Sequence, residues 1–321
     1  MKKLLLILFA ALIAVSSVSC GKKTDSVTDG NKFVMKIGTL KGPTGIGMAK
    51  LISDSKENGK YKIAVYSSPE EITSALITGS IDAASVPVNL AAVLNVKTDG
   101  KYKCAAVNTL GVLYLIENGT TVNSVADLSG KTVVTTGKGS TPEYIIHRIL
   151  SKNGVNDCNI EYKTEAAEAM TLLVSGKADL AVLPEPNVTT ALSKNPSLRV
   201  ALDLTEEWEK IEDGTVVQGC VIVSDTAITE HKADVDGFLE DYEKSVQYVN
   251  GNAKDASTLV ADTRIVPSAE VAEKAIPNCN IVFLTGDEMT TVVDGFFKIL
   301  YEANPASVGG KVPNNDFYYE R

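Results

Sequence analysis

The chain contains one α/β unit twice. Across residues 39–87 and again across 136–184, strand, polar loop, helix, strand, helix and strand follow in one order without net insertion. Lys41-Gly42-Pro43-Thr44 falls on Lys138-Gly139-Ser140-Thr141. Glu71, Leu76-Ile77-Thr78-Gly79, Asp82 and Pro87 fall on Glu168, Leu173-Val174-Ser175-Gly176, Asp179 and Pro184. The offset stays at about 97 residues. Such a chain is constrained to two matched lobes, and small molecules favour the crevice between lobes.

The segments support the repeat. Residues 33–40 alternate as a first strand, and Ser68-Pro69-Glu70-Glu71 opens a helix with a cap, a proline and two acids. Short buried strands alternating with helices imply mixed, mostly parallel α/β sheets. Two long apolar β-rich stretches, 103–116 and 216–223, predict two crossing hinge segments. The acidic run 206–213 reads as a solvated helix or loop, with Trp208 a lid or an amphipathic anchor. Helices are predicted over 232–250, 253–262, 268–275 and 287–303.

The N-terminus indicates where the protein works. Met1-Lys2-Lys3 is positive, residues 4–15 are apolar, and Ser16-Ser17-Val18-Ser19 precede Cys20. That is the layout of an export signal over 1–20, and its end resembles the lipobox of bacterial lipoproteins, with Ser17 where leucine is usual. Cys20 is then the expected lipidation site and 21–32 a flexible polar tether. The expected location is extracytoplasmic, anchored to the membrane by lipid.

A net charge of -9 argues against nucleic acid as a partner. Aromatic content of 6% favours a small polar ligand. Cys104 and Cys220 lie on the crossing stretches, either as a disulfide or as two separate buried thiols.

Ligands of open α/β sheets bind beyond the C-terminal strand ends. That selects Lys41, Pro43, Thr44 and Gly45 in one copy and Gly139, Ser140 and Thr141 in the other. Helix starts offer free N–H groups, threonine adds hydroxyls, and Lys41 and Lys138 can supply charge. The competing reading of each loop is a plain strand-to-helix turn. Ser67 is a further candidate, or part of the helix cap. Asn89 and Asn187, just after the matched prolines, can orient a ligand, and Glu185 can accept from a ligand cation or cap its helix. Tyr114 can stack on a ligand or fill the core. Asp82 and Asp179 follow helix-ending glycines and read as turns. Ser129-Gly130-Lys131-Thr132 precedes a strand and lacks the first P-loop glycine. Two histidines without local Cys/His spacing support no metal site, catalytic group or cofactor.

The lipoprotein signal, the Gly/Pro/Thr loop, the repeated E…LxxGxxDxAxxP block, Asp127-Leu128-Ser129-Gly130-Lys131 and Gly219-Cys220-Val221-Ile222-Val223 resemble extracytoplasmic solute-binding proteins of ABC importers. The nearest likeness is to the group for nitrate, taurine, alkanesulfonate and thiamine-precursor uptake. The resemblance implies a two-lobed type II periplasmic-binding-protein fold, with lobe 1 formed by 32–111 plus 218–321 and lobe 2 by 112–217. It implies a monomer that closes on a small polar or anionic solute and docks on an ABC permease. Relatives on this scaffold also include enzymes of thiamine-pyrimidine synthesis or dehydratase type, and a ligand-sensing module would use the same cleft.

Overall fold

The computed structural model describes residues 33–211 and 214–321. The export signal, Cys20 and the tether lie outside the described residues.

The first repeat runs β1 (Lys36–Leu40), α1 (Pro43–Ile46), α2 (Ala49–Asn58), β2 (Lys62–Tyr66), α3 (Pro69–Ile77), β3 (Ala83–Pro87) and α4 (Val88–Lys97). Two strands follow, β4 (Tyr102–Leu110) and β5 (Leu113–Asn118). The second repeat runs β6 (Thr132–Thr136), α5 (Thr141–Lys152), β7 (Asn159–Lys163), α6 (Ala166–Val174), β8 (Leu180–Pro184) and α7 (Asn187–Lys194). Then come β9 (Leu198–Asp203), α8 (Leu204–Glu209) and β10 (Val217–Ser224). The chain continues through α9 (Asp225–Glu230), α10 (Lys232–Gly251), α11 (Ala253–Asp262), α12 (Ala269–Ala275), β11 (Ile281–Leu284) and α13 (Gly286–Ala303).

These strands form two sheets, ordered β11-β4-β10-β3-β1-β2 and β7-β6-β8-β5-β9. The repeats supply the parallel pairs: β1 lies between β2 and β3, and β6 between β7 and β8. The remaining strands pair antiparallel, so each sheet is mixed. Pro87 pairs with Gly219 of β10, and Pro184 pairs with Leu113 of β5. Each repeat therefore ends against a strand that belongs to a crossing segment. The 103–116 stretch breaks at Gly111 and Val112, which carry the chain from one sheet to the other.

The copies differ at their first helix. Copy two has one helix of 12 residues, whereas copy one is interrupted at Gly47 and Met48. Ser245 of α10 enters this break. Its hydroxyl donates to Gly47 O at 2.7 Å and accepts from Leu51 N at 3.1 Å. The hydroxyl thereby replaces the backbone bond that a continuous helix would make between those two residues.

One apolar cluster runs through both sheets, including Leu40, Val86 and Ile222 of the first and Leu115, Val133 and Val182 of the second. Trp208, expected in a solvated run, is fully buried and packs 5.6 Å from Phe296 of α13, its Nε1 donating to Gly214 O. An amphipathic helix, α8, turns this side of the acidic run inward. Cys104 and Cys220 are both free and buried, on the neighbouring strands β4 and β10. No described helix is long and apolar enough to cross a membrane.

Candidate functional site

The strand-end loops of the two repeats reach one seam between the sheets. Thr141, the first residue of α5, donates through Oγ1 to Asn89 Oδ1 of α4 at 3.1 Å. Both side chains are buried. Tyr114 of β5 spans the same seam, its hydroxyl donating to Asn278 O at 3.4 Å. Asn280 Nδ2 donates to Gly111 O at 2.8 Å, and Asn280 O accepts from Leu110 N. The residues just after α12 are thus tied to the first crossing segment.

Glu185 follows β8 and lies against the other side of that crossing, its N–H donating to Val112 O at 3.1 Å. Its carboxylate is 2% exposed and accepts from Thr189 N at 3.1 Å and Thr189 Oγ1 at 2.9 Å. Burial pushes the Glu185 carboxyl up, and the Thr189 bonds oppose the shift. Burial, followed by the field of Glu185, also raises the Cys279 thiol. The Tyr114 hydroxyl is raised by burial and then by Asp203, Glu185 and Cys279. Glu185, Tyr114 and Cys279 therefore share one electrostatic neighbourhood.

The loop after β1 is held from below. Asn108 Nδ2 donates toward Thr44 O at 3.3 Å, Ser85 Oγ at 3.1 Å and Tyr242 OH at 3.1 Å. Thr39 Oγ1 also donates to Thr44 O, at 3.4 Å. Gly45 is required by close packing, because a Cβ there would stand 2.2 Å from Leu40 O. Thr44 and Pro43 remain partly exposed, and Lys41 is exposed.

The loop after β6 is closed on itself. Gly139 N donates to Glu143 Oε2 at 2.6 Å, and Ser140 Oγ donates to Gly137 O at 2.9 Å. Lys138 lies 5.9 Å from the Tyr162 ring, whose hydroxyl contacts His147 Nε2 at 2.9 Å. Ser67 is exposed, and its N–H donates to Glu71 Oε2 at 3.0 Å while Ser68 Oγ accepts from Glu71 N. Those bonds are helix caps. Asn187 is partly exposed at the first position of α7.

The structure brings Asn89, Tyr114, Thr141 and Glu185 to the seam, with the Thr44 loop braced nearby through Thr44's close packing on Gly219. Gly139, Ser140 and Ser67 instead serve local caps. One seam residue was not singled out from the sequence. Gln218 Oε1 is buried without a hydrogen-bond partner among the described residues. It precedes Gly219, which pairs with Pro87, and so stands where α4 begins. Its signal was present: a lone amide in the apolar run Val216-Val217-Gln218-Gly219-Cys220-Val221.

Three cavities of about 450, 580 and 470 Å³ lie elsewhere. They are lined around Tyr61 and Ile81, around Lys131 and Asp179, and around Asp54 and Tyr248, and none includes Asn89, Thr141 or Glu185.

Residues 101–256 match the NMT1/THI5-like family. No curated protein matches the chain in sequence. Among solved structures, an ABC transporter from Parabacteroides distasonis is 26% identical, over 90% of this chain and 99% of that one, with a TM-score of 0.77. The periplasmic aliphatic sulphonate-binding protein SsuA from Escherichia coli is 20% identical over 89% of this chain and 92% of its own, with a TM-score of 0.71. The periplasmic nitrate-binding protein NrtA from Synechocystis PCC 6803 is 14% identical over 71% and 65%, with a TM-score of 0.53. The fold is that of the type II periplasmic binding proteins.

Proposed function

We propose that this chain, similar in fold and domain to the binding components of ABC importers, captures a small polar solute between two lobes and delivers it to a permease. The lobes of this reading follow the sheets, 32–111 with 218–321 and 112–217. Gly111-Val112 and the segment leading into β10 act as the hinge. The observation that carries the reading is the meeting of both repeats at one seam, where Asn89 and Thr141 join. A solute entering there touches both lobes at once, so its binding energy favours the closed arrangement. The sulphonate and nitrate named for SsuA and NrtA support a reading in which the cargo is a small polar molecule.

Binding rather than turnover is supported by the transport proteins among the neighbours and by the position of the histidines. His147 pairs with Tyr162 on an exposed face, and His231 stands at the cap position before α10, beside Asp234. The outward location is read from the signal over 1–20, with Cys20 lipidated and 21–32 as the tether to a membrane surface. The protein works as a monomer in this account.

Thermal denaturation with fractionated small molecules from bacterial growth medium tests the reading. A bound solute at a hundredfold excess over its Kd stabilises the fold by about 2.7 kcal/mol. At least one fraction is expected to raise Tm, and the gain is expected to vanish in an Asn89→Ala, Thr141→Ala variant. A flat response to every fraction contradicts capture.

A further inference from the structure

Glu117 and Glu185 are the buried charged side chains among the described residues, and no Lys, Arg or His is buried there. Arg199 Nη2 stands 2.6 Å from Glu117 and neutralises it. Among the described residues no cation is paired with Glu185. Its acceptor bonds come from the neutral Thr189 amide and hydroxyl. Removing a carboxylate from water is costly unless an opposite charge answers it.

Two further observations point the same way. Gln218 Oε1 is a buried acceptor without a hydrogen-bond partner among the described residues. Val217 pairs with Leu110, and Val112, two residues further on, carries the bond to Glu185. Gln218 and Glu185 therefore stand on adjoining parts of the hinge. Meanwhile two of the N–H groups an anion would need are already taken by carboxylates. Glu143 holds Gly139 N and Glu71 holds Ser67 N. Those negative charges repel an arriving anion at the loops that would otherwise receive it.

Building on the capture reading, we propose that the cargo is an organic cation bearing N–H donors, such as an amine or amidine. Its charge lies against Glu185, and Gln218 Oε1 accepts one of its N–H groups. Thr44 and Tyr114 add hydroxyls that adapt to either role. The uncompensated carboxylate is thus a ligand group held in waiting, with Thr189 fixing its orientation.

The test is native mass spectrometry of the full chain incubated with putrescine, benzamidine and 4-aminopyridine together with methanesulfonate and nitrate. Calorimetry of the retained probe follows for the wild type and the Glu185→Gln, Glu185→Asp and Gln218→Leu variants. A cationic probe is expected to be retained. Its affinity should fall about tenfold or more in Glu185→Gln, by a few fold in Gln218→Leu, and least in Glu185→Asp, which keeps the charge. Should Glu185→Gln fail to fold, the Asp and Leu variants still carry the comparison. Retention of an anion overturns the cation assignment and leaves capture standing, as does a cation bound equally well by Glu185→Gln. Retention of no probe of either sign counts against capture itself and removes this inference with it.

Discussion

Thr141 Oγ1 and Asn89 Oδ1 share a buried hydrogen bond of 3.1 Å between residues from opposite copies of the repeat. The two residues stand at the starts of helices that follow strands of different sheets, so the bond reports directly on how the halves meet. Thr141→Val keeps the shape and removes the donor, leaving the Asn89 oxygen buried and unpaired. The expected cost is about 1–3 kcal/mol. The double variant Thr141→Val, Asn89→Leu replaces both partners and is expected to recover most of that loss. Thermal denaturation of the three proteins measures the coupling, and an additive double variant would contradict it.

Glu185 gives the protein a stability that depends on pH. Burial raises its folded carboxyl above the unfolded value of about 4.3. The stabilising contribution of the protonated group is therefore complete below that unfolded value and is lost as pH rises through the folded one. Tyr114 and Cys279 face the same carboxyl and are themselves raised by burial, while Asp203 and Glu206 act on Tyr114. At pH 7–8 the ligand-free Glu185→Gln variant should be more stable than wild type by about 1 kcal/mol, or roughly 2–4 °C in Tm. The difference should shrink toward zero near pH 4. A variant destabilised at every pH would show that the Thr189 cap outweighs the buried charge.

Ser245 bridges the broken first helix of copy one through Gly47 O and Leu51 N. Ser245→Ala strands both groups in a buried site. The expected loss is about 1–3 kcal/mol, visible in denaturant unfolding. Amide exchange at Leu51 should accelerate well beyond that of its neighbours. Unchanged protection there would show that the hydroxyl is replaceable.

Cys20→Ser tests the anchor. Wild-type protein is expected in the membrane fraction of the exporting cell, with the variant released in soluble form or retained with an uncleaved signal. A variant that fractionates identically to the wild type, with its signal removed, would exclude lipid attachment at this residue.

The repeat was legible because the offset of about 97 residues survives element by element. β2 and β7 start at Lys62 and Asn159, α3 and α6 at Pro69 and Ala166, β3 and β8 at Ala83 and Leu180. Ser68 could be read as a cap because its bond to Glu71 N is local. Features set by distant contacts were not legible. The break at Gly47 depends on Ser245, nearly two hundred residues away, and the burial of Trp208 depends on Phe296. β11 has four residues, too few to show alternation, and is fixed by pairing with β4.

The candidate site divides along the same line. Asn89 and Thr141 were nominated singly as strand-end groups, and their contact appears only once both sheets are assembled. Gly139 and Ser140 looked like open donors, but Glu143 one turn along closes the loop. A carboxylate at that spacing signals a cap as readily as a helix interior charge. Gln218 was hidden by its surroundings, because an apolar strand reads as core whether or not one side chain faces a seam.

A crystal structure of the protein with its retained solute is the decisive test of capture between the lobes. Density is expected between the two sheets, in contact with Glu185 and with at least one of Thr44, Asn89, Tyr114, Thr141 or Gln218. Density found instead in an outer cavity, beside Tyr61 and Ile81 or beside Lys131 and Asp179, would contradict it.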